Sequence, residues 1–183
     1  MVSKMFCVRV SLRDRSHCAR QPFALNSNQA LRRETIMTII EALLGEHAAL
    51  HPLFDRIEVL AQNADLPELK IHADLLESTL ISQADLEDSL LGPQIQPYLP
   101  SATGPTDHDE IRAGLKRVGA AACADDARRY LFETLARTRR HFRKEESTAF
   151  VFARRKSSSA LQEQLAVEWA RIRGVSVGET GCD

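Results

Sequence analysis

From residue 36 onward the apolar side chains recur at intervals of three and four, and few chains with that spacing can fold as anything but packed helices. Ile40, Leu43, Leu44, His47, Leu50, Phe54, Ile57 and Ala61 predict a first helix of about 25 residues with Pro52 inside it. Asp65 and Pro67 are start signals for a second helix, which runs through Leu69, Leu76, Leu80, Gln83, Glu87 and Leu90 to Gly92-Pro93. A connection punctuated by Pro93, Pro97, Pro100 and Pro105 follows. Thr106 to Asp109 has near capping-box form and opens a third helix along Ile111, Leu115 and Val118. A fourth helix begins near Asp125 and continues to about Arg155. Its inner face is Leu131, Leu135, Thr138, Phe142, Glu145, Ala149 and Phe152. Ser159 to Gln162 reads as a capping box for a short fifth helix ending at Arg173-Gly174. The expected fold class is all-α: an antiparallel up-down-up-down four-helix bundle with a short C-terminal fifth helix.

Composition narrows the function classes. Aromatics are only 5% of the chain, so Leu and Ala must fill the core, and β-propensity is poor. A net charge of -1 lacks the electrostatic footprint of a nucleic-acid or membrane-surface binder, and no apolar run is long enough to span a bilayer. Cys7, Cys18, Cys123 and Cys182 form no Cys-x-x-Cys pair, which excludes a zinc ribbon or a thioredoxin-type motif and points to a reducing, cytoplasmic compartment. Residues 1–35 set Lys4, Arg9, Arg13, Arg15, Arg20, Arg32 and Arg33 against Asp14 and Glu34, a net +5, so the remainder carries -6. With no periodicity, this stretch reads as a basic, disordered leader, Met37 being an alternative start. The domain organisation expected is a leader over 1–35, a helical bundle over 36–175 and a tail over 176–183.

The informative positions are polar groups caught on the apolar stripes. His47 lies two turns from both Ile40 and Phe54. Gln83 and Glu87 fall among Leu76, Leu80 and Leu90, and His108 precedes Ile111 by one turn. Glu145 falls two turns from Thr138 and Phe152, with His141 one turn before it. Alone, each histidine reads as a satisfied core residue, and Glu87 or Glu145 as half of an inter-helix ion pair. Together they fall toward one end of an up-down-up-down bundle. A carboxylate buried there needs compensation, and three imidazoles with two carboxylates make a nitrogen–oxygen site for a borderline-to-hard divalent metal.

These segments resemble the hemerythrin-like family, the HHE cation-binding bundle, over roughly residues 36–175. The likeness rests on Glu46-His47-Ala-Ala-Leu, on Gln83-x-x-x-Glu87 before Leu90-Leu91-Gly92-Pro93, on Asp107-His108-Asp-Glu-Ile-Arg, and on His141-Phe-Arg-Lys-Glu145-Glu146. The closing Trp169 to Val175 is similar to the tail found after such domains. The resemblance implies non-haem iron, a di-iron centre first and a mononuclear or other divalent-metal centre as alternatives. His47, His108 and His141 would be terminal ligands, with Glu87 and Glu145 bridging. It implies a diatomic partner such as O2 or NO, and a role in oxygen, nitric oxide or redox sensing or in iron handling.

Two departures matter. Gln83 stands where the family has a histidine, and Arg112 stands where its oxygen carriers have a second one on the third helix. Gln83 and His51 are therefore additional candidate ligands, with His72 a weaker one. No nucleophile–base–orienter set and no Gly-rich phosphate loop is visible, so catalysis of a metabolic transformation is not expected. The rival reading is a degenerate, metal-free bundle serving as a protein-interaction module, its partner unspecified. An oxidase-type di-iron enzyme would want more carboxylates, including Glu-x-x-His pairs, than the chain offers.

Overall fold

The structure, a computed structural model, describes residues 37–95 and 106–176. Every regular element among them is helical: α1 (Ile39–Ala61), α2 (Leu66–Leu90), the single turn α3 (Gly92–Ile95), α4 (Asp107–Ala120), α5 (Ala124–Lys144), a π-helical turn (Glu145–Ala149), α6 (Phe150–Lys156) and α7 (Ser159–Arg173). The basic leader, the stretch with Pro97, Pro100 and Pro105, and residues 177–183 lie outside the described residues.

Three helices start on full capping boxes, which satisfy the orphan N–H groups of a first turn. Thr38 and Glu41 cap α1, Asp65 and Glu68 cap α2, and Thr106 and Asp109 cap α4. α1 runs through Pro52 as one element. The start of α7 departs from expectation. Ser158 is its N-cap, accepting from the Leu161 N–H, and Gln162 instead donates to the carbonyls of Arg154 and Ser157. Gly174 closes α7 in the left-handed conformation at φ 66°, where a side chain would be strained.

The apolar stripes assemble two clusters. The larger joins Phe54, Ile57 and Ala61 of α1, Leu69 to Leu80 of α2, Ile111, Leu115 and Val118 of α4, and Leu131, Leu135 and Phe142 of α5. The smaller joins Ile39, Ile40 and Leu43, Leu86, Leu90 and Leu91, and Phe150 and Ala153 of α6. α4 packs on α2 and α5, α1 touches α2, α5 and α7, and α2 also touches α5. Burying this much Leu, Ile and Phe is the main source of stability, at about 1.5–3 kcal/mol per large side chain.

The π turn corrects one part of the expected stripe. A π turn adds one residue relative to an α turn. The inner face therefore moves one position along, from Ala149 and Phe152, both only half-buried, to Phe150 and Ala153, both buried. α7 is pinned to α1 through Glu46. Trp169 Nε1 donates to Glu46 Oε1 at 2.8 Å, while Arg173 donates to the same oxygen from Nε at 2.6 Å and to Oε2 from Nη2 at 3.0 Å.

Candidate metal centre

His47 on α1, Gln83 on α2 and Glu145 in the π turn fall between residues of the two clusters, with Glu87 and His141 one turn from Gln83 and Glu145, so a charged layer interrupts the apolar core. His47 is wholly buried, and Gln83, Glu87, His108 and His141 are nearly so. Glu145 keeps 15% of its side chain exposed. His-x-x-x-Glu spacing puts His141 and Glu145 one turn apart on one face, with His141 Nε2 3.2 Å from Glu145 Oε1.

All three imidazoles turn Nε2 toward the carboxylate pair. His47 Nε2 lies 3.6 Å from Glu87 Oε1 and 3.7 Å from Glu145 Oε2. His108 Nε2 lies 3.7 Å from Glu87 Oε2 and 3.9 Å from Glu145 Oε1. Each carboxylate thus shows one oxygen to His47 and the other to His108. Glu87, His108, His141 and Glu145 each offer a ligand atom within 4.8 Å of the others. A buried His/Glu group of this kind could hold a metal ion.

The opposite ring nitrogens face a second ring of carboxylates. His47 Nδ1 is 2.9 Å from Glu146 Oε1, His108 Nδ1 is 3.2 Å from Asp88 Oδ2, and His141 Nδ1 is 3.5 Å from Asp107 Oδ2. A carboxylate at Nδ1 keeps the proton there and leaves the Nε2 lone pair free for a cation. Lys144 Nζ, 2.8 Å from Asp107 Oδ2, holds the Asp107 carboxyl below its ordinary range. The sequence reading missed Glu146, Asp88 and Asp107 in this role. Each is the chain neighbour of a site residue, and that adjacency was the available signal.

Several buried atoms at the centre make no hydrogen bond: both Glu87 oxygens, His108 Nε2, both ring nitrogens of His141, and Glu145 Oε2. Such groups are costly when orphaned, and their chemistry suits a divalent cation with nitrogen and oxygen ligands. Burial, with the Glu87 charge alongside, pushes the Glu145 carboxyl up to about 10. Burial also pushes the His141 imidazole down to about 4, His108 adding to the effect and Asp107 opposing it.

The two supplementary candidates part company. The Gln83 amide lies 3.2 Å from His47 Nε2, inside the layer. His51, one turn farther along α1, sets its ring edge-on to Phe54 and Phe142. Phe142 fills the space between, stacked on His47 at 3.7 Å and 4°. His72 is half-buried, about three turns from Gln83. Arg112 points out of the layer to Asp85. Among the described residues no helix is long and apolar enough to cross a membrane. No family model, no curated protein and no solved structure matches the chain.

Proposed function

We propose that the chain is a hemerythrin-like protein of the cytoplasm: an antiparallel four-helix bundle of α1, α2, α4 and α5, continued by α7, that holds a dinuclear non-haem iron centre. Two placements support the bundle. The start of α1 shares a cluster with the end of α2, and the end of α1 shares one with the start of α2. One observation carries the dinuclear reading. Glu87 and Glu145 each divide their oxygens between the His47 side and the His108 side, as bridging carboxylates would. His47, His108 and His141 would be the terminal ligands.

Bound iron would supply redox chemistry and affinity for a diatomic ligand such as O2 or NO. The protein's own part is to orient His47 and His108 through their Nδ1 partners, and to border the centre with the apolar Phe142, Leu80, Ala84 and Ile111. A cavity of about 10 Å³, bordered by Gln83, His108, Thr138 and His141 among these apolar residues, has room for about one water-sized sphere and suits a small ligand better than an organic substrate. This favours sensing or iron handling over metabolic catalysis.

Gln83 favours a second reading, a metal-free interaction module, because its amide already satisfies His47 Nε2. Elemental analysis after anaerobic purification from iron-replete medium, with an ultraviolet–visible spectrum, separates the two. About two irons per chain with oxo-bridge absorption is the expected result. A folded chain devoid of metal would leave the interaction module standing.

A further inference from the structure

The two sides of the charged layer differ in more than their histidine count. On one side His108 Nε2 stands 3.7 Å from Glu87 Oε2 and His141 Nε2 stands 3.2 Å from Glu145 Oε1, and neither nitrogen has a hydrogen-bond partner to give up. On the other side a single imidazole, His47, is joined by Gln83. With the His47 Nδ1 proton directed at Glu146, the Nε2 lone pair accepts from the Gln83 amide N–H at 3.2 Å. A cation entering there must break that buried hydrogen bond and turn the amide. In return it gains a neutral carbonyl oxygen where a second imidazole would bind more strongly. Weaker ligation and prior occupation act in the same direction.

We propose that the centre takes two divalent cations in unequal steps, first between His108, His141 and the carboxylates, then more weakly between His47, Gln83 and the opposite oxygens of the same carboxylates. The inference rests on the dinuclear reading above and adds to it an order of filling set by Gln83. The first ion favours the second in one respect, because it fixes Glu87 and Glu145, whose opposite oxygens face His47. It does nothing for the amide, so the gap persists. At intermediate metal concentrations the protein is then a half-filled species. A different second ion can enter that species, giving a mixed centre.

The test is a titration of the full chain, stripped of metal by chelation, with Co²⁺, followed by calorimetry and by visible absorption. The expected result is two equivalents bound in two steps, their dissociation constants about tenfold or more apart, the scale of a perturbed ligand shell. His47→Ala should delete the weak step and spare the tight one. Gln83→His should strengthen the weak step and bring the two constants together. If the second step is too weak to register, one equivalent retained in His47→Ala and a second gained in Gln83→His support the inference equally. Two equal steps, a Gln83→His variant whose weak step is unmoved, or loss of the tight step in His47→Ala would overturn it. A chain that is helical by circular dichroism yet binds no Co²⁺ overturns the dinuclear reading itself, which is a separate and recognisable failure.

Discussion

Stripped of metal, the protein should be more stable in mild acid than in mild base, opposite to the usual trend for carboxylates. The cause is Glu145, whose carboxyl titrates near 4.5 in an open chain but is pushed up to about 10 in the fold. Between these values the folded chain holds a proton that the unfolded chain has lost, so stability falls by about 1.4 kcal/mol per pH unit. From about pH 6 to about pH 8 this amounts to a loss of about 3 kcal/mol. His141 works the other way. Its imidazole is pushed down to about 4 from 6.5, so the unfolded chain binds the extra proton, and raising the pH over the same interval returns about 1 kcal/mol. The net loss is about 2 kcal/mol, with the stability maximum near about pH 5.5, where the two slopes cancel. Below that point His141 governs, and stability declines toward about pH 4. Urea unfolding followed by far-ultraviolet circular dichroism, in the presence of a chelator, measures this directly. Glu145→Gln should abolish the decline on the basic side, and saturating divalent metal should reverse it, since the ion displaces the proton. Stability of the chelated wild type at about pH 8 equal to or above that at about pH 6 would mean that Glu145 does not hold its proton in the fold, and the reasoning would fail.

Other substitutions test single contacts. Glu146→Gln should weaken metal affinity by about 10- to 100-fold while leaving the metal-free fold intact, read by competition with a coloured chelator. Gly114→Ala would drive a methyl group into the Thr134 hydroxyl and within 3.2 Å of Thr134 Cβ and Cγ2, where α4 crosses α5. Overpacking of about 3 kcal/mol less about 1 kcal/mol of gained helix propensity predicts a loss of about 2 kcal/mol in urea unfolding, with Thr134→Ala restoring much of it in the double variant. Arg128→Met should cost about 1–3 kcal/mol by the same measurement. It strands the Ala61 and Ala64 carbonyls that the guanidinium now caps at 2.8 and 2.9 Å.

The inner faces of α1, α2 and α4 were legible because a helix buried on one side repeats its apolar residues at a fixed angle, and the capping boxes before them are local chemistry. The same regularity exposed His47, Gln83, Glu87, His108, His141 and Glu145 as intrusions, and the structure gathers all six in one layer. Legibility ended where the period changed. Nothing in Glu145-Glu146-Ser-Thr-Ala announces a π turn, so the burial of Phe150 in place of Phe152 could not be read. Glu146, one turn after Phe142 at the edge of the stripe, read as a surface acid, whereas in the fold it reaches His47 across the bundle. Asp88 and Asp107 looked like ordinary surface acids, since only the folded arrangement sets them against imidazoles from other helices.

The tie between α7 and Glu46 has an optical consequence. Trp169 is the only tryptophan in the chain, and its indole N–H rests on a carboxylate one residue from His47. Its emission therefore carries a single, uncontaminated signal from the junction of the last helix with the helix that bears a candidate ligand. Detachment of α7 would shift that emission while the circular dichroism of the bundle stayed constant, so the molecule carries its own gauge for telling a local opening from global unfolding.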